Sequence, residues 1–166
     1  MKSLLLFFLI LFTSKCYSQL RNVSDFVSLK NLSLPELRNK LKEKKFEFGG
    51  TSKFDKFKEI KTDLELWNHF DNNHNQTTVG IIRTSTEVII LSFITWDTSF
   101  FKTTSQTVKS LKLRTFKKIN KNGKLLEQYL NNKIYLMVMN IFMEGNWYFM
   151  YYLTFPEKEK YLMELL

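Results

Sequence analysis

Ile134-Tyr135-Leu136-Met137-Val138-Met139-Asn140-Ile141-Phe142 is followed, across Met143-Glu144-Gly145-Asn146, by Trp147-Tyr148-Phe149-Met150-Tyr151-Tyr152-Leu153-Thr154-Phe155. Two runs of β-branched and aromatic residues around a Glu-Gly-Asn turn predict a β-hairpin. A second hairpin is predicted upstream, where Thr77 to Thr84 and Glu87 to Trp96 flank Ser85-Thr86. Neither alternates apolar with polar residues, as a sheet wetted on one side should. Side chains point alternately to the two faces of a strand. In the later hairpin, Leu136, Val138, Phe142, Trp147, Phe149, Leu153 and Phe155 therefore share one face. Met137, Met139, Ile141, Met143, Tyr148, Met150 and Tyr152 share the other. In the earlier hairpin a two-residue turn sets Val79, Ile81, Val88, Ile90, Ile94 and Trp96 against Gly80, Ile82, Ile89, Leu91 and Phe93. Both faces are apolar, so each needs cover or a partner.

The two hairpins match each other. Shifted by 59 residues, Glu87 to Trp96 overlies Asn146 to Phe155, and Phe70-Asp71-Asn72-Asn73 overlies Tyr129-Leu130-Asn131-Asn132. Upstream, a Lys-rich helix and an aromatic strand precede each, around Phe46-Glu47-Phe48 and Phe116-Lys117-Lys118, with a gap of about eight residues. The expectation is an α+β fold: two tandem copies of helix plus three or four antiparallel strands, forming one sheet covered by helices on one face. The copies would span about 33–96 and 97–155, with a tail at 156–166.

Ser33-Leu34-Pro35-Glu36 is a helix start, with Leu34, Leu37 and Leu41 at helical spacing behind it. Lys45 to Phe48 reads as a short strand ended by Gly49-Gly50, and Phe101 to Leu111 as a second helix. After Pro156, Tyr161, Leu162 and Leu165 line one side of a terminal helix. Phe54, Phe57, Ile60, Leu64 and Trp67 also fall at helical spacing, whereas the internal match makes residues 63–70 a strand. The strand is preferred there, leaving 53–61 as the helical candidate.

Met1-Lys2-Ser3, the apolar run Leu4 to Phe12 and the polar stretch ending Cys16-Tyr17-Ser18 have the form of a cleavable export signal, cut after Ser18. Nine apolar residues make about 14 Å of helix, too short for a ~30 Å hydrocarbon core. Lys15 before Cys16 argues against a lipidated cysteine. Cleavage removes the sole cysteine, together with Lys2 and Lys15, and lowers the formal charge from +9 to +7. The single domain of residues 19–166 then has no thiol and no transmembrane segment, and is expected in the periplasm or outside a bacterial cell. Its basic residues are spread among acids and asparagines rather than clustered, which argues against nucleic acid as the partner.

Chemistry-bearing patterns are few. His69-Phe70-Asp71-Asn72-Asn73-His74 holds both histidines, and His69, Asp71 and His74 form a weak metal-ligand set. There is no nucleophile elbow, no glycine-rich phosphate loop and no cysteine after cleavage. No cofactor is expected and the chain reads as non-enzymatic. Met137, Met139, Ile141, Tyr148, Met150 and Tyr152 are the candidate binding residues, since methionine re-packs easily and tyrosine offers area with a polar tip. The alternative cover for that face is the protein's own residues 19–32 or its terminal helix.

The duplicated helix-plus-sheet arrangement with an aromatic sheet, over residues 33–155, resembles the β-lactamase-inhibitor-protein type of fold. The chain also resembles small exported proteins of Bacteroidetes-type bacteria, in which glutamine frequently follows the cut. The first resemblance implies a non-catalytic module that binds another protein through its sheet; for the Met/Tyr face, self-association is the alternative to another protein. It carries no residue over, because fold alone does not establish function. A lipocalin-like cup for an apolar ligand is the runner-up, and a hydrolase using His69, Asp71 and His74 comes third.

Overall fold

Ser33 opens its helix as expected: its backbone N–H and hydroxyl both donate to Glu36 Oε2, at 2.8 and 2.6 Å. These bonds hold the Glu36 pKa below its ordinary value. In the computed structural model, residues 20–57, 59–71, 76–121, 124–143 and 145–165 are described. The segment expected to be an export signal and His74 lie outside them. Helices α1 (Val23–Ser28) and α2 (Leu34–Glu43) precede β1 (Glu47–Phe54), β2 (Thr62–Phe70), β3 (Gln76–Arg83) and β4 (Val88–Thr95). Helices α3 (Thr98–Lys102) and α4 (Thr104–Ser110) precede β5 (Arg114–Lys121), β6 (Lys124–Leu130), β7 (Tyr135–Met143) and β8 (Asn146–Thr154). Helix α5 (Glu159–Glu164) follows a 3-10 turn at Pro156–Lys158. The protein is therefore α+β, with one antiparallel sheet of eight strands in the order β1-β2-β3-β4-β8-β7-β6-β5.

Two meanders meet edge to edge through β4 and β8, where Ser92 lies opposite Tyr152 and Phe93 opposite Tyr151. Helices α2 and α4 end alike. Lys45 and Lys112 take left-handed backbones (φ 60 and 52), and the next residues, Phe46 and Leu113, donate to Leu41 and Val108 carbonyls at 2.9 Å. The strands that follow are bulged at the corresponding places, between Phe48 and Gly50 and between Thr115 and Lys117.

One sheet face carries the larger core. Trp67, Val79, Ile81, Leu91, Phe93, Leu136, Val138, Tyr151 and Leu153 pack there with Val23, Phe26, Leu37, Leu41 and Phe100. Its centre is aromatic: Phe93 lies 4.5 Å from Phe100, 5.5 Å from Phe26 and 6.1 Å from Tyr151, ring to ring. Glu65, fully buried in β2, accepts from Arg38 Nε on α2 at 3.0 Å and from Arg83 Nε on β3 at 2.6 Å. This ion cluster ties a helix to the sheet through groups that a purely apolar layer would not orient.

Several expectations change. The constant 59-residue equivalence fails: it would place Phe93, on the larger core, over Tyr152, which faces the other way. The earlier hairpin is partitioned differently because β4 is bulged. Val88 opposes Arg83 but Ile90, not Ile89, opposes Ile82, so Leu91 and Phe93 join Val79 and Ile81 while Ile90 and Ile94 turn away. The described residues of 53–61 form no helix; β1 runs to Phe54, and Phe57 and Ile60 lie in the connection to β2. The helix expected at 101–111 is two helices meeting at Thr103, whose hydroxyl donates to the Phe100 carbonyl at 2.7 Å and accepts from Val23 N–H at 3.0 Å. Helices also lie on both faces rather than one. Leu162 of α5 joins Phe57, Ile82, Ile89, Ile90, Tyr135 and Met137 in a second buried cluster on the far side.

That second cluster yields a stability test. Leu162→Ala removes a fully buried side chain, and about 2–3 kcal/mol of stability should be lost. The figure lies at the low end because a terminal helix can fray and close part of the void. Urea unfolding monitored by far-ultraviolet circular dichroism measures it, and an unchanged midpoint would show that α5 does not seal this face.

Candidate functional site

The second face is best described by the residues that pair across it. Its middle row runs Gly50, Leu66, Gly80, Ser92, Tyr152, Met137, Gln128 and Lys117, one from each strand in spatial order. Two residues along the strands to one side, the row includes Leu64, Ile82 and Ile90, with Tyr135 and Leu130 beyond β8. This is the side that α5 and the β1–β2 connection cover. Phe57, Tyr161, Leu162 and Leu165 pack with it. Two residues to the other side, the row reads Glu47, Asn68, Thr78, Ile94, Met150, Met139, Leu126 and Ile119. Its last five members are all large and apolar. Ile119 is 43 % exposed, and Ile94, Met150, Met139 and Leu126 are half-buried.

The six candidate residues therefore divide. Met137 is 0 % exposed beneath the second cluster and cannot touch a partner while α5 is docked. Tyr152 and Met139 border that cluster and are half-buried, and burial raises the Tyr152 pKa. Met150, Ile141 and Tyr148 lie half-exposed on the other side, Met150 opposite Met139 and Ile141 opposite Tyr148. The face partition of this hairpin was legible in the sequence, whereas its cover was not. Ile94, Leu126 and Ile119 continue the Met139–Met150 row and were missed, because only strand register brings them beside the methionines; Leu126, like Met139, packs at the edge of the second cluster. The Met face is thus covered by the chain at one end and only half-buried at the other.

The expected core face also opens at its tip. Phe142 is 57 % and Trp147 44 % exposed, and they pack chiefly on each other with ring centroids 5.2 Å apart. Their pair lies beyond the Leu91–Thr95 segment that joins β4 to β8, so the hairpin end projects past its neighbour.

No protein-family model matches the chain, and neither the curated proteins nor the solved structures include a match. The site therefore rests on its own geometry.

Of the metal-ligand set, His74 lies outside the described residues, and only His69 and Asp71 can be placed. His69 lies on β2 with its ring 5.5 Å from Phe46 and Nδ1 3.0 Å from the Lys45 carbonyl. Asp71 lines a cavity of about 240 Å³ with Leu20, Thr77, Asp97 and Phe100. Among the described residues no three His, Cys, Asp or Glu side chains gather as a metal site. Nor do the larger cavities coincide with the Met face. One of about 700 Å³ lies between Val27, Leu111, Asn131 and Ile134, and one of about 630 Å³ between Leu32, Pro35, Val88 and Phe155. At the second of these Lys30 Nζ stands 3.3 Å from the Phe155 ring centroid and donates to the Lys133 carbonyl. Desolvation lowers its pKa to about 8, with Glu157 opposing and Lys158 assisting.

Proposed function

We propose that the chain is an exported, non-catalytic binding module whose Met139–Met150 sheet row receives a protein partner. The observation that carries this reading is the five-strand apolar row Ile119–Leu126–Met139–Met150–Ile94, covered only in part: Ile119 is exposed, Ile94 and Met150 are half-buried, and Leu126 and Met139 pack at the edge of the second cluster. A contiguous exposed apolar surface costs solubility and is retained where something binds it. Methionines at its centre let it re-pack against an irregular surface. The exposed Phe142–Trp147 pair lies on the opposite sheet face at the hairpin tip and is a separate aromatic patch.

The same reading takes the fold as two copies of helix plus four strands. The paired left-handed lysines, the matching helix ends and the matching bulges support it. Such a duplication would agree with the β-lactamase-inhibitor type of architecture and its use of a sheet for protein recognition. Export would bring the row to partners in the periplasm or beyond the cell.

The test is affinity capture from a cell-envelope extract using residues 19–166. Wild type is compared with Met139→Asp and with Ile119→Asp, whose exposed position spares the core. The expected result is a partner whose recovery falls about tenfold in both variants, equivalent to ~1.4 kcal/mol. Equal recovery of every captured protein, with both variants retaining the wild-type melting curve, would overturn the proposal.

A further inference from the structure

We propose that the cavity between the ends of β2 and β4 is the seat of a terminal ammonium group, the one that cleavage after Ser18 creates on Gln19. The inference rests on the export reading and says what the cut does to the fold. The cavity, about 240 Å³, has buried aromatic walls from Phe46, Phe93 and Phe100, with exposed Trp96 beside them. Two half-buried carboxylates line it, Asp71 just past β2 and Asp97 just before α3, together with Thr77 and Thr95. Asp97 accepts from the Ser99 N–H at 2.7 Å, and an ionised carboxylate has further acceptor sites to offer. No lysine, arginine or histidine is among the described residues of the wall. The charged groups of the wall are thus acidic, and the aromatic faces add attraction for a cation.

Leu20 fixes the position of the occupant. It is the first described residue, is 5 % exposed, and lines this cavity while packing in the larger core. The backbone behind it is held, since Arg21 N–H donates to Asp25 at 2.9 Å and Val23 N–H to Thr103 at 3.0 Å. By covalent geometry alone, the nitrogen of residue 19 lies within about 5 Å of the Leu20 Cα. A cut after Ser18 makes that nitrogen an ammonium, charged at neutral pH. In the uncut chain the same atom is a neutral amide that offers the acids no charge. An ammonium among carboxylates makes charge-assisted hydrogen bonds, roughly twice as strong as neutral ones. Cleavage therefore fastens the segment that leads into α1, whose Val23 and Phe26 belong to the larger core. The uncut chain is the looser one, and the fold tightens once the signal is gone.

Export of the full chain in a bacterial host, followed by N-terminal sequencing, is the first measurement. The expected product begins at Gln19 and carries a free amine. A different first residue would sink the cut and this inference together. A Gln19 cyclised with loss of ammonia, which leaves a neutral lactam, would sink the inference alone. Melting temperatures then compare residues 19–166 with the same chain acetylated at its N-terminus and with residues 17–166. The free-amine chain should melt about 4–8 °C above both, the effect of one charged hydrogen-bonded contact in a domain of this size. Asp97→Asn keeps the helix cap, since asparagine caps as well as aspartate, and should bring the three chains together. On acetylation the indole resonance of Trp96 should shift while that of Trp147, at the hairpin tip, stays. Equal melting of the three wild-type chains would overturn the inference even with Gln19 confirmed as the first residue. So would a difference that survives Asp97→Asn. The acetylation comparison needs no substitution, so it decides the matter even if Asp97→Asn fails to fold.

Discussion

Phe93→Ala lowers the unfolding free energy by about 3–5 kcal/mol, the cost of removing a buried aromatic ring that the surroundings cannot refill. Phe93 is 1 % exposed and lies where four elements meet: Phe26 comes from α1, Phe100 from α3 and Tyr151 from β8. Collapse into the void is opposed because Phe100 and Tyr151 already pack on each other at 5.1 Å. At about 2–4 °C per kcal/mol for a domain of this size, the melting temperature should drop by roughly 10–15 °C. Phe93→Leu keeps most of the volume and should cost less than half as much. Calorimetry of the three proteins decides the matter. A loss below about 1 kcal/mol in the alanine variant would mean that this cluster is not the centre of the core.

Glu65→Gln is the second large effect, about 3 kcal/mol at neutral pH, because it leaves two guanidinium groups facing a neutral amide. Burial by itself would raise the Glu65 pKa, but the hydrogen bonds and charges of Arg38 and Arg83 outweigh it and hold the pKa below its ordinary 4.5. A carboxylate with a depressed folded pKa stabilises the protein fully above its unfolded pKa and progressively less as pH falls through the folded value. The wild-type advantage over Glu65→Gln should therefore be largest above pH 4.5 and shrink on acidification below it. Urea midpoints at a series of pH values test this. A difference independent of pH would assign the loss to packing rather than to the carboxylate charge. Arg38 is partly exposed and can swing toward water, so Arg38→Ala should cost less than the change at Glu65.

Local signals read well where local physics decides. The capping box at Ser33 and Glu36, the Glu-Gly-Asn turn, and the Met/Tyr against Leu/Val partition of β7 and β8 all follow from interactions within a few residues. The span from Phe54 to Ile60 misled because a connection laid across an apolar face can show the same three-residue spacing as a buried helix side. In β4, a bulge of one residue reversed the face of everything after Val88. The candidate site was half legible. Its methionines stood out by composition, but Ile94, Leu126 and Ile119 belong to it only through pairings with other strands.

Sequence alone determined that this protein is an antiparallel α+β domain with two apolar sheet faces, because strand period and turn chemistry are properties of neighbouring residues. Tertiary structure alone decided which apolar surface is core and which is left half-covered. Met137 and Met139 are two residues apart in one strand and alike in chemistry. One is fully buried with α5 and the other is half-buried at the edge of the same cluster, since burial depends on where a segment twenty or more residues later comes to rest.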